Sequence, residues 1–334
     1  MVGELVSVVI PLYNKEVHIA AALESVINQD YENLEIILVN DASTDSSLKI
    51  SENILAKSKR SFTIINHEIN RGKSAARNTG LDASNGKYIW FCDADDIAEK
   101  NLVSRLIGLA EEYNCDISFG GYKKHFEDGR PDEYELINLN DPQPLDGEKV
   151  MCLRMLSKIS PVLCTTLFMK DLLTKYNIRY YEGCTAYQDI EFQLKAFCHA
   201  TKFSYAPESL YIYIHSAEMG AIRENNTPEK DLKKYIDSTD AHFRAAEYIS
   251  QHTKFDKVKF LADNMLIPEA IVRKFTFYAR ADDREKFASL LNDEKVRNSL
   301  RNSRKVLLKK PEIYLKAFMI LHMPNLYFKL RKKA

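Results

Sequence analysis

The chain has 334 residues, with 47 Lys+Arg, 47 Asp+Glu and a formal net charge of zero. Apolar residues make up 45% and charged residues 28%, enough for a sizeable core, which excludes a disordered or collagen-like chain and any need for disulfides or metals to fold. The neutrality is a sum of opposites: residues 301–334 hold ten Lys/Arg and the single acid Glu312, a charge of +9, against −9 for residues 1–300. Such a split suggests a body and a tail with different partners.

The run Leu5–Ile10 predicts a buried strand, and Asn14 can cap a helix over Lys15–Gln29. Leu34–Val39 predicts a second strand. The polar turn Asn40-Asp41-Ala42-Ser43-Thr44-Asp45 leads into a helix ending near Ser58. Phe62–Asn66 reads as a strand, Gly72–Ala83 as a helix and Lys87–Cys92 as a strand ending at Asp93-Ala94-Asp95-Asp96. Asp96-Ile97-Ala98-Glu99 has the form of a capping box for a helix over Ile97–Tyr113, and Asp116–Gly121 follows as a strand. This alternation predicts an α/β fold with a mostly parallel sheet. Ligands then bind beyond the carboxyl ends of the strands. The same edge carries Pro11–Asn14, Asn40–Ser43, His67–Gly72 and Asp93–Asp96.

Beyond about Gly147 the pattern is mixed. A helix is expected over Glu148–Ser157, an apolar run over Pro161–Met169 and a helix over Asp189–His199. Short strands are expected at Lys202–Tyr205 and Leu210–His215, and helices alone after Glu224. A boundary is placed at Glu224–Pro228, dividing a domain over 1–225 from a helical extension over 226–334. The six cysteines, Cys92, Cys115, Cys152, Cys164, Cys184 and Cys198, show no zinc spacing and read as buried thiols of a reducing compartment. No secretory leader and no spanning helix are expected, which points to a cytoplasmic protein.

Asp93 and Asp95, one residue apart at a strand end, suit a hard divalent cation that keeps positions open for phosphate, although acidic turns are common without one. Taken with Val8–Glu16, Val39–Asp45, Asn70–Gly80 and Tyr187-Gln188-Asp189-Ile190-Glu191-Phe192, in this order and at these spacings, they give a chain that closely resembles the family 2 glycosyltransferases of GT-A fold. The resemblance covers roughly the first two-thirds of the chain. It implies a mixed Rossmann-like sheet, a nucleotide-sugar donor, Mn2+ or Mg2+, and inversion at the anomeric carbon. By the same resemblance Pro11, Tyr13, Asn14 and Glu16 line the nucleoside pocket. Asp41 bonds the base, usually uracil; Lys73 lies near base or diphosphate; Asp93 approaches ribose and metal; Asp95 ligates the metal; and Asp189 is the catalytic base. Many relatives carry Glu-Asp where this chain has Gln188-Asp189.

Each residue also has a plainer reading. Asp189 can cap its helix. Arg77 can reach phosphate or brace a loop, and Lys73 can be solvated. His215, where some GT-A enzymes place a further metal ligand, can equally be a surface histidine. In the tail, Pro311 can start a helix bearing Tyr314, Leu315, Phe318, Ile320 and Leu321 that Pro324 ends. Apolar residues with basic flanks suit an anionic membrane surface, here the inner face of the cell membrane, or else a helix packed on the body. No nucleic-acid motif accompanies them. The expected function is metal-dependent transfer from a UDP-sugar to a glycan or lipid-linked glycan of a surface polysaccharide. The competing readings are a non-catalytic scaffold or membrane-binding protein on this fold, and a sugar-phosphate nucleotidyltransferase, which would want a glycine-rich loop that Pro11-Leu12-Tyr13-Asn14 lacks.

Overall fold

A computed structural model describes residues 3–215 and 228–332. The first half alternates as expected: β1 (Val6–Leu12), α1 (Ile19–Ile27), β2 (Leu34–Asn40), α2 (Ser47–Leu55), β3 (Ser61–Asn66), α3 (Lys73–Ala83) and β4 (Tyr88–Phe91). There follow β5 (Ile97–Ala98), α4 (Leu102–Tyr113), β6 (Ile117–Phe126), β7 (Glu133–Glu135), β8 (Leu145–Asp146), α5 (Gly147–Met155), β9 (Thr166–Met169), α6 (Lys170–Lys175), α7 (Gln188–His199) and β10 (Lys202–His215). The sheet order is β3-β2-β1-β4-β9-β6-β10-β5. β1 pairs in parallel with β2 and β4, and β2 with β3, while β9 lies antiparallel between β4 and β6. The expected mixed α/β sheet is therefore present.

The sheet is covered on both faces, and successive residues of β1 point to opposite sides. Val6, Val8 and Ile10 pack with Leu23, Val26, Leu102 and Leu106 of α1 and α4. Val9 faces the other way, toward Leu81 of α3 and Phe91 and Phe192. α3 comes so close to β1 that a Cβ on Gly80 would stand 2.3 Å from Val9 Cγ1, so only glycine fits there.

Three local expectations are corrected. Asn14 does not cap a helix: its φ is 47°, α1 begins only at Ile19, and its amide exchanges hydrogen bonds with Thr44. Asp96 does not cap one either. Ile97–Ala98 pairs antiparallel with β10, the helix starts at Leu102 behind Asn101, and Asp96 Oδ1 accepts the Ile214 N–H at 2.9 Å. Pairing with a distant strand outweighed the local capping pattern. The two short strands after α7 are one strand, β10, with register shifts between Ala206 and Ile212. The apolar run at Pro161–Met169 ends in β9, the strand that turns the sheet mixed.

After residues 216–227, which lie outside the described residues together with most of the expected boundary, the chain is helical. The helices are α8 (Pro228–His252), α9 (Asp256–Leu261), α10 (Ile267–Arg280), α11 (Arg284–Asn292), α12 (Glu294–Asn302), α13 (Pro311–His322) and α14 (Pro324–Lys332). Ala245, Ile249, Leu261, Met265 and Ile313 join the core formed by α5, α7 and the sheet, so the helices and the sheet share apolar packing. The tail packs on the body in part. Ala317, Ile320, Tyr327 and Phe328 are buried in a cluster with Ile271 and Phe275 of α10, while Leu308, Leu315, Phe318, Leu326 and Leu330 are exposed. Pro324 ends one helix and opens the next. Among the described residues no helix is long and apolar enough to cross a membrane, and the six cysteines are free thiols.

Candidate functional site

The carboxyl ends of β1, β2 and β4 and the start of α3 enclose a cavity of about 420 Å³. Pro11, Tyr13, Asn14, Lys15, Asp41, Lys73 and Asp95 line it, so the fold gathers residues from four separate sequence segments. Glu16 stands apart: its carboxylate accepts the Ser46 N–H at 2.9 Å and braces the start of α2.

Asp41 is 2% exposed and organises the floor. Its Oδ1 accepts from His67 Nδ1 at 2.7 Å and the Arg71 N–H at 2.9 Å, and its Oδ2 accepts the Gly72 N–H at 2.7 Å. A carboxylate has about four acceptor positions, so one remains for a donor in the cavity. Gly72 holds φ 88° with open space around its Cα, a conformation that needs glycine for the backbone alone. Ala42 (φ 59°) and Asn14 (φ 47°) add positive-φ backbone at the same edge, as functional sites commonly do.

Behind this cavity lies a charge network. Arg77, on α3, is fully buried; one nitrogen bonds Asp93 Oδ1 at 2.7 Å and the other bonds Asp189 Oδ1. Lys73 Nζ reaches Asp93 Oδ2 at 3.3 Å. Burial alone would raise the Asp93 pKa, but Lys73 and Arg77 outweigh it and hold the group well below the usual carboxylate range. Burial likewise opposes the Arg77 charge, and Asp189 and Asp93 overcome it. Arg77 therefore braces carboxylates and does not reach out for phosphate. Asn78 is also a brace, exchanging bonds with Tyr180 N–H and C=O at 2.9 and 3.0 Å.

Asp189 sits in the first turn of α7 but does not cap it; the residue before the helix pair is Tyr187, in the left-handed region at φ 68°. The Asp189 side chain is 37% exposed and opens into a second cavity of about 520 Å³, lined also by Asp93, Tyr122, Arg154, Cys164, Tyr213 and His215. Asp93 is linked to the first cavity through Lys73, which lines it. The His215 ring stacks on Phe126 with centroids 4.9 Å apart.

For a divalent cation the donor chemistry fits at Asp95. Its carboxylate faces the first cavity, and Lys15 Nζ lies 2.6 Å from Oδ2, so the position already favours positive charge. Asp93, Asp96 and Cys164 also bring ligand atoms within 4.8 Å of one another. The two carboxylates suit a hard cation, but burial pushes the Cys164 thiol far up and keeps it protonated. Burial, then Asp95 and Asp93, also raise the Asp96 pKa well above the carboxylate range. Lys15 and Asp96 escaped the sequence reading. Lys15 adjoins the Tyr13-Asn14 motif and could have been found by asking which cation faces the acidic turn; nothing local marks Asp96 as buried.

Residues 7–175, half of the chain, match the family model described as Glycosyl transferase family 2. The uncharacterized glycosyltransferase EpsJ of Bacillus subtilis is 33% identical over 213 residues, 63% of this chain and 60% of that protein. The minor teichoic acid biosynthesis protein GgaB of Bacillus subtilis is 32% identical over 210 residues, 62% of this chain but 22% of its own. The chain thus spans less than two thirds of the length of these curated relatives. Among solved structures, residues 1–349 of S. aureus TarS superpose with a TM-score of 0.70 at 20% identity, covering 98% of this chain and 90% of that one. The mannosyltransferase PcManGT from Pyrobaculum calidifontis, in complex with GDP-Man and Mn2+, gives a TM-score of 0.53 at 14% identity, covering 96% and 88%. At these identities the two structures speak for the GT-A fold, and the family model matches half of the chain: the chain belongs to glycosyltransferase family 2.

Proposed function

We propose that the protein transfers a sugar from a UDP-sugar, with inversion, to a hydroxyl of a glycan or lipid-linked glycan in surface polysaccharide synthesis. The observation that carries this reading is the Arg77 clamp. One buried guanidinium joins Asp93 to Asp189, both on the wall of the second cavity, and Asp93 in turn binds Lys73 on the wall of the first. A donor in the first cavity and an acceptor in the second would meet across that clamp. The name of GgaB, a minor teichoic acid biosynthesis protein, supports the pathway class, and TarS structures in complex with UDP-GlcNAc and with UDP support the donor.

In this mechanism Asp41 holds the base, and Pro11, Tyr13 and Asn14 form the walls around the nucleoside. Lys73 neutralises phosphate charge, and Asp93 positions Lys73 and Arg77 at the ribose side. What Mn2+ or Mg2+ would supply when held by Asp95 is charge neutralisation of the departing diphosphate. Asp189 takes the proton from the acceptor hydroxyl. Arg77 holds that carboxylate in place, and a single base on the face opposite the leaving group gives inversion. His215 lines the second cavity. The helices over 226–334 form the extension that carries the tail. Its exposed Leu308, Leu315, Phe318, Leu326 and Leu330, set among Lys309, Lys316, Lys329 and Arg331, dock it on the anionic inner face of the membrane.

A screen of UDP-, GDP- and TDP-sugars tests the reading. One UDP-sugar should be consumed in the presence of Mn2+, and Asp189→Asn should bind it and fail to transfer. Consumption of no nucleotide sugar, or full transfer by Asp189→Asn, would reject the assignment.

A further inference from the structure

We propose that the acceptor carries a phosphate group and that Arg154 binds it. The inference rests on the reading of the second cavity as the acceptor side and names the acceptor's chemical class. Arg154 lines the cavity that holds Asp189 and also a smaller one of about 150 Å³, which shares Arg154 and Ile190 with it. The two form one track leading from the base toward the C-terminal helices.

Among the described residues Arg154 has no carboxylate partner. Its Nε is enclosed without a hydrogen bond. Burial lowers its pKa, and only the hydroxyl groups of Tyr187 and Tyr122 act against that. Enclosing an unpaired guanidinium nitrogen is costly, and the fully buried arginine of this region, Arg77, has two carboxylates. The smaller cavity repeats the imbalance. Arg273 and Lys310 join Arg154 there against the single acid Glu269, which pairs with Arg273 at 3.2 Å. Among the described residues Lys310 Nζ reaches only Ser157 Oγ, at 3.4 Å. Arg273 Nε and His242 Nε2 are buried without partners. Lys124, on the far wall of the larger cavity, is already paired with Glu133 at 3.0 Å, so the uncompensated charge concentrates at Arg154. A guanidinium fork with further N–H donors beside it matches phosphate oxygens, and the volume suits one such group beyond a sugar in the larger cavity. The phosphate can belong to a phosphodiester within the glycan or to the lipid that carries it; both offer the same oxygens.

The experiment uses the full chain with UDP and Mn2+ saturating the first cavity. UDP binding is measured first, by calorimetry. Glycerophosphoglycerol, a soluble phosphodiester, is then titrated, with glycerol as the neutral control and phosphatidylglycerol vesicles as a second arm. The diester should bind and glycerol should not. Arg154→Met should weaken diester or vesicle binding about tenfold or more, Arg154→Lys should weaken it less, and Arg273→Met should also weaken it. Loss in the soluble arm assigns the phosphate to the glycan, and loss confined to vesicles assigns it to the lipid. Because no partner is lost, Arg154→Met should melt no lower than the parent. A parent that ignores both probes, or an Arg154→Met protein that binds them unchanged, overturns the inference. A protein that binds UDP but no diester keeps its transferase reading, whereas one that binds the diester through Arg154 but not UDP loses that reading and keeps this one.

Discussion

Replacing Arg77 by Met removes a fully buried guanidinium shared by Asp93 and Asp189. Breaking a buried ion pair from one side costs about 3–5 kcal/mol, because the remaining charge stays desolvated. Here two carboxylates remain. Asp93 is 11% exposed and keeps Lys73, whereas Asp189 is 37% exposed and can turn into the second cavity. Those escapes favour the lower end, about 3 kcal/mol. With an unfolding entropy of about 2.1 cal/mol/K per residue over 334 residues, each kcal/mol moves the melting temperature by about 1.4 °C, and the expected drop is about 4 °C. The guanidinium also lies over Tyr180, 5.2 Å from the ring centre, so lost packing contributes. The double variant Arg77→Met/Asp189→Asn separates the two effects. It should recover about 1 kcal/mol, because one of the opposed charges is gone. Calorimetric or urea unfolding of the parent, both single variants and the double variant reads this directly. An Arg77→Met protein as stable as its parent, or a double variant no better than the single, would refute the clamp as an electrostatic device.

The remaining predictions concern backbone, protonation and the tail. Gly72→Ala places a Cβ at φ 88° in open space, so it should cost about 1–3 kcal/mol through the backbone alone, and it should weaken UDP binding by disturbing the Gly72 N–H bond to Asp41; unchanged stability and affinity would contradict this. Burial lowers the pKa of His199 and of His242 to about 4, against about 6.5 unfolded. The folded state therefore binds fewer protons, and this part of the stability is full above about pH 6.5 and is lost as the pH falls toward 4. For the nearly enclosed His242 the loss reaches about 3 kcal/mol. Urea midpoints at pH 7 and 4.5 should fall less in His242→Gln than in the parent; equal falls would argue against it. Leu315→Ser/Phe318→Ser should reduce salt-sensitive binding to anionic vesicles with little change in stability, since both side chains are exposed; undiminished binding would remove the tail from the membrane reading.

The sheet was legible because its strands are β-branched runs such as Val6–Leu12 and Leu34–Asn40, whose burial depends on apolar content that any local reading finds. The gathering of Asp41, Asp93 and Asp95 at one edge followed from parallel topology alone. What escaped depended on distant partners. Ile97–Ala98 joins β10 and spoils a well-formed capping box. Lys15 meets Asp95 across 80 residues of chain, and Arg77 meets Asp189 across 112. In the tail the helical period was visible, yet the same residues face two ways: Ile313 and Ile320 are buried while Leu315 and Phe318 are exposed. Periodicity identifies the stripes without saying which of them the body covers.

The proposed nucleotide site stands or falls most directly on one titration of UDP into the intact protein by calorimetry, with Mn2+ and then with EDTA, for the parent and for Asp95→Asn. UDP should bind with Mn2+, and binding should weaken about tenfold or more both on adding EDTA and in Asp95→Asn, whose melting temperature should hold because Asp95 pairs only with part-exposed Lys15. No binding of UDP under either condition, or equal binding by the parent and Asp95→Asn in Mn2+, would contradict a metal-assisted nucleotide site at the carboxyl edge of the sheet.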